Sequence, residues 1–306
     1  MNWITSFEIL CYIITAMFLI DVIFKKTFDE LWLFISATFA GFALELLAVR
    51  VTGIYHYSKD FLISIGFEPY QFPFFGGLMW GGLAVYSLRI ARKLNAGILM
   101  TSLIAGWLIV TMDLFLDVVA IRLNGGFWVW DGREITLNIS HHMFMSVIWV
   151  NFLGYLFETP AVVFFHLKTW KRRSVYPWWK QLLISLGIGL VGILFVGISS
   201  GISLGLNMIT DEWFSYLAFI LLWGFIFISI IRLLHKGHYS LNTPAKADIP
   251  VIVFYSALYL FCICALWYLG IAKAVPIYFA GCIAFYIFTV LLAAKNNNTD
   301  KSVAHT

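Results

Sequence analysis

Residues 106–132 read GWLIVTMDLFLDVVAIRLNGGFWVWDG, and this stretch decides how the rest of the chain is interpreted. Its first half is apolar enough to cross a bilayer, yet it contains Asp113 and Asp117. A carboxylate in hydrocarbon is costly, so such residues indicate a function or a charge partner. Because they are four residues apart, the two side chains lie on one face of a helix and can point together into a bundle.

The second half of the stretch ends the helix and is rich in aromatic rings. The sequence NGG at residues 124–126 favours a turn. Trp128 and Trp130 follow it, and their rings suit a membrane interface or the wall of an apolar pocket. We therefore ask which other residues converge on the two aspartates.

The composition indicates an integral membrane protein. Of the 306 residues, 61% are hydrophobic and only 12% are charged, with a mean hydropathy of +0.89. Soluble domains contain about 25% charged residues. The net charge of +4 does not indicate nucleic-acid binding, because the basic residues lie in short loops and form no stripe or tail. The cysteines, which lack metal or redox spacing, are expected to pack as small hydrophobic residues; they are Cys11, Cys262, Cys264 and Cys282.

Nine stretches approach the length of about 20 apolar residues that a transmembrane helix needs. They lie near residues 6–24, 30–51, 72–91, 96–121, 142–166, 182–206, 212–234, 249–271 and 274–294. The last two are separated only by a turn near Lys273 and Pro276, so one broken helix, and eight spans, is the alternative. The sequence predicts an all-α, polytopic membrane helical bundle in which residues 1–295 form one domain. A disordered cytoplasmic tail is expected at 296–306.

Lysine and arginine alternate between the two sides of this bundle. The segments after spans one, three, five, seven and nine hold 15 of the 20 basic residues. Cytoplasmic loops are enriched in these residues, which predicts an outside N-terminus and a cytoplasmic C-terminus. We expect a multi-pass protein of the cell inner membrane.

Two loops on the predicted outer side, residues 52–71 and 124–141, are long and aromatic. Loops of such length between packed helices are uncommon unless they are functional or disordered, and aromatic content argues against disorder. Counting residues along the helices places four polar side chains in the outer half of the membrane. We expect them to face one cavity beneath the two loops; they are Glu45, Asp113, Asp117 and Asn151. Alternatively, the acids pair with Arg50, Arg122 or backbone donors and only stabilise the bundle.

The histidines are a weaker signal. His56, His141 and His142 share the outer side with Asp131 and are possible metal ligands, but no HExxH or HxxH pattern is present. We therefore expect interfacial histidines and no metal site. No glycine-rich phosphate loop is present either, which argues against nucleotide chemistry.

Residues 113–130 (DLFLDVVAIRLNGGFWVW) resemble the D-L-x-L-D and G-x-W-x-W pattern of membrane carotenoid biosynthesis proteins of the carotenoid 1',2'-hydratase type, which include bisanhydrobacterioruberin hydratase. Residues 151–155 (NFLGY) are similar to the family's P-L-x-N-x-L-G-W segment. The segment from Glu45 through Thr52-Gly53 to residues 55–57 (YHY) is similar to its Glu, Thr-Gly, Tyr-x-Tyr region. The resemblance covers about a third of the chain, in the family's order.

The sequence also departs from the family pattern. Val118 follows Asp117 where the family has proline, and residues 148–149 (IW) replace its P-L pair. The segment from Thr-Gly to Tyr-x-Tyr is shorter and lacks a glycine. These differences indicate a divergent branch of the family.

The resemblance implies that water adds across the terminal isoprenoid double bond of an acyclic carotenoid, giving a tertiary alcohol without a redox cofactor. Protonation of an unactivated alkene needs a carboxylic acid that an apolar site keeps neutral, here Asp113 or Asp117. A second carboxylate and aromatic rings suit the cation that forms. The predicted catalytic residues are Asp113, Asp117, Glu45 and Asn151, with substrate contacts from Trp128, Trp130, Trp149, Tyr55 and Tyr57.

Two other functions stay open from the residues alone. A membrane terpene or carotenoid cyclase would use the same acid and rings but exclude water. A transporter or pigment-binding protein would use the acids for proton coupling or packing, although no convincing inverted repeat is present. The expected partners are a lipophilic carotenoid or isoprenoid and the lipid bilayer, with no nucleic acid and no cofactor; the oligomeric state is open.

Overall fold

A computed structural model describes residues 2–132, 134–236 and 247–295. Nine helices in this part of the chain are long and apolar enough to span a membrane, which confirms the predicted all-α, polytopic bundle. They are α1 (Trp3–Lys25), α2 (Phe28–Thr52), α3 (Phe74–Arg92), α4 (Ile98–Ala120), α5 (Trp149–Arg173), α6 (Trp178–Thr210), α7 (Trp213–Lys236), α8 (Ile249–Tyr268) and α10 (Pro276–Ala294), with the single-turn α9 (Ile271–Ala274). The predicted disordered tail, 296–306, lies outside the described residues.

The chain reverses direction around Lys273, so the last two spans are separate helices. Gly270, just after α8, has a φ of +73°, and Pro276 begins α10. Glycine accepts positive φ because it has no Cβ, and proline at the first helical position needs no backbone donor. The two helices pack against each other.

The fifth span begins at Trp149, later than the predicted start near residue 142. The preceding residues instead form a hairpin in which β5 (Met143–Phe144) pairs with β6 (Val147–Ile148). The Arg122 guanidinium donates to the carbonyls of Thr136 and Met145, at 2.5 and 3.0 Å. These tertiary hydrogen bonds favour the hairpin over a further turn of helix.

Two loops lie at one end of the bundle, which we call the loop end. Loop A comprises residues 53–73, and loop B comprises residues 121–148. The loops pair through β1 (Tyr55–Tyr57) and β4 (Trp128–Trp130), antiparallel, while β2 (Ser64–Ile65) pairs with β3 (Phe72–Pro73) inside loop A. A 3₁₀ turn at Leu123–Gly125 leads from α4 into loop B. The loops therefore form a joint cover over the helix ends.

Helix α4 has the most central position among the spans. It packs against α3, α5, α7, α8 and α10. Of the residues in its apolar stretch, 83% are buried inside the protein, against 28% for α6. Gly106 brings α4 close to α5, because a Cβ at this position would lie 2.6 Å from Pro160. The helix that carries both aspartates is therefore enclosed by other helices.

Buried charges join three helices at the opposite end of the bundle. The Arg89 guanidinium, on α3, donates to both carboxylate oxygens of Glu30 on α2, at 2.7 and 2.6 Å. It also donates to Asp21 on α1, at 2.6 Å. A bidentate pair satisfies charges that burial would otherwise penalise, so this cluster fixes α1, α2 and α3 relative to one another.

Candidate active site

An aromatic cavity lies between α2, α3, α4 and α5, beneath loops A and B. The volume of this cavity, measured as the space that the centres of water molecules can occupy, is about 100 Å³. The cavity is therefore large enough for several waters or for the tip of an apolar chain. It brings together eight of the residues that the sequence predicted as site residues: Glu45, Tyr55, Tyr57, Asp113, Asp117, Trp128, Trp130 and Asn151.

The two aspartates of α4 have different hydrogen-bond environments. Asp113 and Asp117 are 8% and 3% exposed, and both face the cavity. The Asn151 amide, on α5, donates to Asp117 Oδ2 at 2.8 Å. Oδ2 of Asp113 is buried and has no hydrogen-bond partner among the residues that the structure describes. Asp117 is therefore held in place by a bond from α5, whereas the buried Oδ2 of Asp113 has no such bond.

Glu45 is held by three tyrosine hydroxyls. Tyr55 and Tyr57, from loop A, each donate to Glu45 Oε2 at 2.8 Å. Tyr155, from α5, donates to Oε1 at 3.0 Å. Because an ionised carboxylate only accepts hydrogen bonds, three hydroxyl donors match its charged form. The cluster also joins loop A and α5 to α2.

The tyrosines of loop A are suited to remain donors. Burial, with the negative charge of Glu45 as the next cause, raises the pKa of Tyr55 and Tyr57 above the ordinary value for a phenol. Both hydroxyls therefore stay protonated at neutral pH. Glu45 therefore keeps the hydrogen bonds from both hydroxyls over the physiological pH range.

Aromatic rings form much of the cavity wall. The strand pairing of the loops sets Tyr55 against Trp130, with ring centroids 5.1 Å apart, and Tyr57 against Trp128, at 6.0 Å. On the helix side, Trp80 and Tyr155 are 4.7 Å apart. The face of an aromatic ring carries partial negative charge, so this wall can stabilise a cation without solvating it.

Trp149 does not line the cavity, although the sequence predicted it as a substrate contact. Its indole nitrogen donates to the Ser140 carbonyl at 2.8 Å, and its ring packs against Tyr216 and Phe219. Trp149 and Asn151 are two residues apart on α5, which is about 200° around a helix. They therefore face different neighbours, and Trp149 joins loop B to α7.

Arg122 does not pair with the aspartates, although such a pair was one of the alternative structural roles for them. Its guanidinium donates to the carbonyls of Val118, Thr136 and Met145. These bonds hold loop B against the end of α4. The two aspartates are instead left facing the cavity.

Many residues that position or line the site were not among the predicted site residues, and Tyr155, Trp80 and Glu8 are examples. Tyr155 follows Asn151 by four residues, so helical spacing placed it on the same face and was a usable signal. Trp80 adds a ring from α3. Glu8, on α1, accepts hydrogen bonds from the backbone amides of Leu62 and Ile63 at 2.5 and 2.9 Å, which fixes loop A. No local pattern links Glu8 to loop A.

The four residues considered in the sequence as possible metal ligands do not meet at one point. His56 pairs with Asp131, Nδ1 to Oδ1 at 3.0 Å, on the ribbon formed by β1 and β4. His141 and His142 lie instead beside the turn between α6 and α7. Neither group is part of the cavity wall.

We compared the chain with protein-family models, with curated proteins and with solved structures, and none of these comparisons gave a match.

Proposed function

We propose that this protein is a membrane carotenoid hydratase, which adds water to the terminal double bond of an acyclic carotenoid with Asp113 as the proton donor. The observation that supports this most directly is the Asp113 carboxyl on the wall of an aromatic cavity, with one oxygen unpartnered. The motif resemblance of residues 113–130 supports the same assignment. An acid in such a site suits an apolar substrate that has no other group to activate.

In the proposed reaction, the Asp113 carboxyl gives its proton to the less substituted alkene carbon. The alkene electron pair forms the new C–H bond, and a tertiary carbocation results. The rings of Trp128 and Trp130 and the negative charge at Glu45 stabilise this cation. Water then forms the C–O bond and passes its extra proton to the carboxylate pair of Asp113 and Asp117. The product is the substrate plus one water, with no net transfer of electrons.

Asn151 favours hydration over cyclisation in this proposal. Its amide nitrogen donates to Asp117, which fixes the side chain at the cavity wall. The amide oxygen is an acceptor that can orient a water beside the carboxylate pair. A cyclase would need to keep water away from the same cation.

We further propose that the loop end faces the outside of the cell inner membrane, with the C-terminus in the cytoplasm. The basic residues support this, because those near the ends of α1, α3 and α5 opposite the loop end include Lys25, Arg92 and Lys171. Cytoplasmic ends are enriched in such residues. The substrate end group would then reach the cavity from the outer half of the bilayer.

The test is expression of the full chain in cells that accumulate an acyclic carotenoid such as lycopene, followed by mass analysis of the pigments. The expected product is heavier than the substrate by one water. Asp131→Asn, which removes an exposed acid on loop B outside the cavity, is the matched control and should leave product formation intact. A product of unchanged mass with a ring would establish a cyclase instead. Unchanged pigment from several acyclic carotenoids, with the protein inserted normally, would refute the proposal.

A further inference from the structure

Four possible metal ligands from two distant segments meet at the loop end. His141 and His142 belong to loop B, while Asp211 and Glu212 form the turn between α6 and α7. His141 Nε2 lies 3.5 Å from Asp211 Oδ2, and His142 Nδ1 lies 3.1 Å from Glu212 Oε2. One ligand atom from each of His141, His142 and Asp211 lies within 4.8 Å of the others. The cluster is separate from the aromatic cavity.

These separations suit a small divalent cation. Zinc binds imidazole nitrogen and carboxylate oxygen at about 2.0–2.2 Å, so neighbouring ligands of a tetrahedral site are about 3.3–3.6 Å apart. The two nitrogen–oxygen distances, 3.5 and 3.1 Å, are close to that edge length. The ligand atoms of His141, His142 and Asp211 lie within 4.8 Å of one another, so their widest separation would need to shorten by at most about 1.2–1.5 Å, which rotation of the side chains can provide. Glu212 lies outside this group of three and would complete the set by turning its carboxylate from His142 towards the ion.

The charges of the cluster also match a divalent cation. Two ionised carboxylates carry two negative charges, and two neutral imidazoles can each present a nitrogen lone pair. A bound divalent cation therefore gives an electrically neutral site. The donor set of two imidazoles and two carboxylates is typical of zinc and of neighbouring transition metals, whereas Mg²⁺ and Ca²⁺ favour oxygen alone.

Neighbouring groups hold the ligands in place. The His141 ring stacks on Trp213, with centroids 4.4 Å apart and planes 5° from parallel. Asp211 and Glu212 have φ values of +50° and +64°, so two successive non-glycine residues adopt the left-handed conformation. This conformation costs free energy for residues with a Cβ. The turn ends α6, with the backbone amides of Asp211 and Glu212 donating to the Asn207 carbonyl, and it leaves both carboxylates beside the histidines.

We propose that His141, His142, Asp211 and Glu212 bind one divalent transition-metal cation, with zinc as the best match, and that this ion ties loop B to the turn between α6 and α7. The prediction of no metal site rested on the absence of a local motif, and this cluster has none because its halves are about 70 residues apart in sequence. Loop B also carries Trp128 and Trp130, so the ion would fix the far side of the segment that covers the cavity. The proposal stands whether or not the protein is a hydratase.

The test uses the full chain, purified in detergent through a tag without histidine, stripped with a chelator and titrated with Zn²⁺ by calorimetry. We expect about one zinc per chain. His142→Ala and Asp211→Asn should each weaken zinc binding about a hundredfold or more, since loss of even an outer-shell partner costs about 10–100-fold. Cobalt should give the intense visible absorption of a tetrahedral site in the wild type and lose it in both variants.

His56→Ala is the matched control, because His56 and Asp131 form a partly exposed histidine–aspartate pair in loops A and B without a second histidine. It should bind zinc as the wild type does. Circular dichroism and thermal unfolding of the metal-free variants separate loss of a ligand from loss of the fold. Zinc binding that is absent, not stoichiometric, or unchanged in both ligand variants would overturn the proposal and leave two surface ion pairs.

Discussion

The Asn151 amide donates a 2.8 Å hydrogen bond to Asp117, across the contact between α5 and α4. Asp113 lies one turn away on the same face of α4, and its Oδ2 has no partner in the described part of the chain. A single interhelical bond therefore makes two neighbouring carboxyls unequal. Because such carboxyls titrate as a coupled pair, fixing one of them also influences where their shared proton resides.

Asp113→Asn is expected to abolish most hydration while leaving the fold intact. The amide keeps the shape of the side chain but has no acidic proton, and general acid catalysis contributes about a hundred- to ten-thousandfold. The measurement is the amount of hydrated carotenoid per amount of inserted protein, relative to wild type and to Asp131→Asn. Full activity of Asp113→Asn combined with an inactive Asp117→Asn would transfer the donor role to Asp117. Full activity in both variants would remove the pair from the mechanism.

Tyr155→Phe is expected to lower both stability and product formation. It deletes a hydroxyl that donates to Glu45 at 3.0 Å, and hydrogen bonds to charged groups contribute about 1.5–3 kcal/mol. Tyr216→Phe is the matched control, because Tyr216 contacts Trp149 through its ring. The measurement is thermal unfolding in detergent together with product yield. In a Glu45→Gln background, the effect of Tyr155→Phe should shrink; equal effects in both backgrounds would show that the two residues act independently.

Gly106→Ala is expected to destabilise the bundle by about 1–3 kcal/mol, because overpacking forces neighbouring atoms apart. The new methyl group would lie 2.6 Å from Pro160, where α4 meets α5. Gly197→Ala is the control, since a Cβ at that position on α6 meets nothing within 4 Å. Both variants are compared by thermal unfolding. Equal stability of the two would show that α4 and α5 are not in close contact.

Arg89→Met is expected to destabilise the protein by about 3–5 kcal/mol, because it leaves the buried carboxylate of Glu30 without its cation and leaves Asp21 with Lys25 alone. Arg92→Met is the control, since Arg92 is 40% exposed and lies 3.5 Å from Asp29. An ion pair at the surface contributes little to the free energy of unfolding. The comparison uses unfolding in detergent, and similar losses in both variants would contradict the structural role assigned to Arg89.

Labelling from either side of the membrane tests the proposed orientation. Ser174 follows α5 at the end opposite the loops, and Ser58 lies in loop A. In a background with Cys264→Ser, the Ser58→Cys variant should react with an impermeant reagent in intact cells. The Ser174→Cys variant should react only after the membrane is opened. The reverse pattern would invert the topology.

The amino-acid sequence by itself determined the helices and their buried acids. Apolar length and the four-residue spacing of Asp113 and Asp117 are properties of neighbouring residues, so they are visible without a partner segment. The helix starts were less well determined. Helix α5 begins only at Trp149, because the residues before it form a hairpin that Arg122 holds in place.

Only the tertiary structure decided which side chains meet. Tyr155 reaches Glu45 across 110 positions of sequence, and Trp149 faces α7 because of the rotation of α5 about its axis. The meeting of His142 with Glu212, and of loop A with loop B, likewise depends on how separate helices pack. Within an apolar bundle, a helix can rotate about its axis in many ways that bury a similar apolar area. Polar contacts between distant segments therefore decide which rotation is adopted, and the local sequence does not specify those contacts.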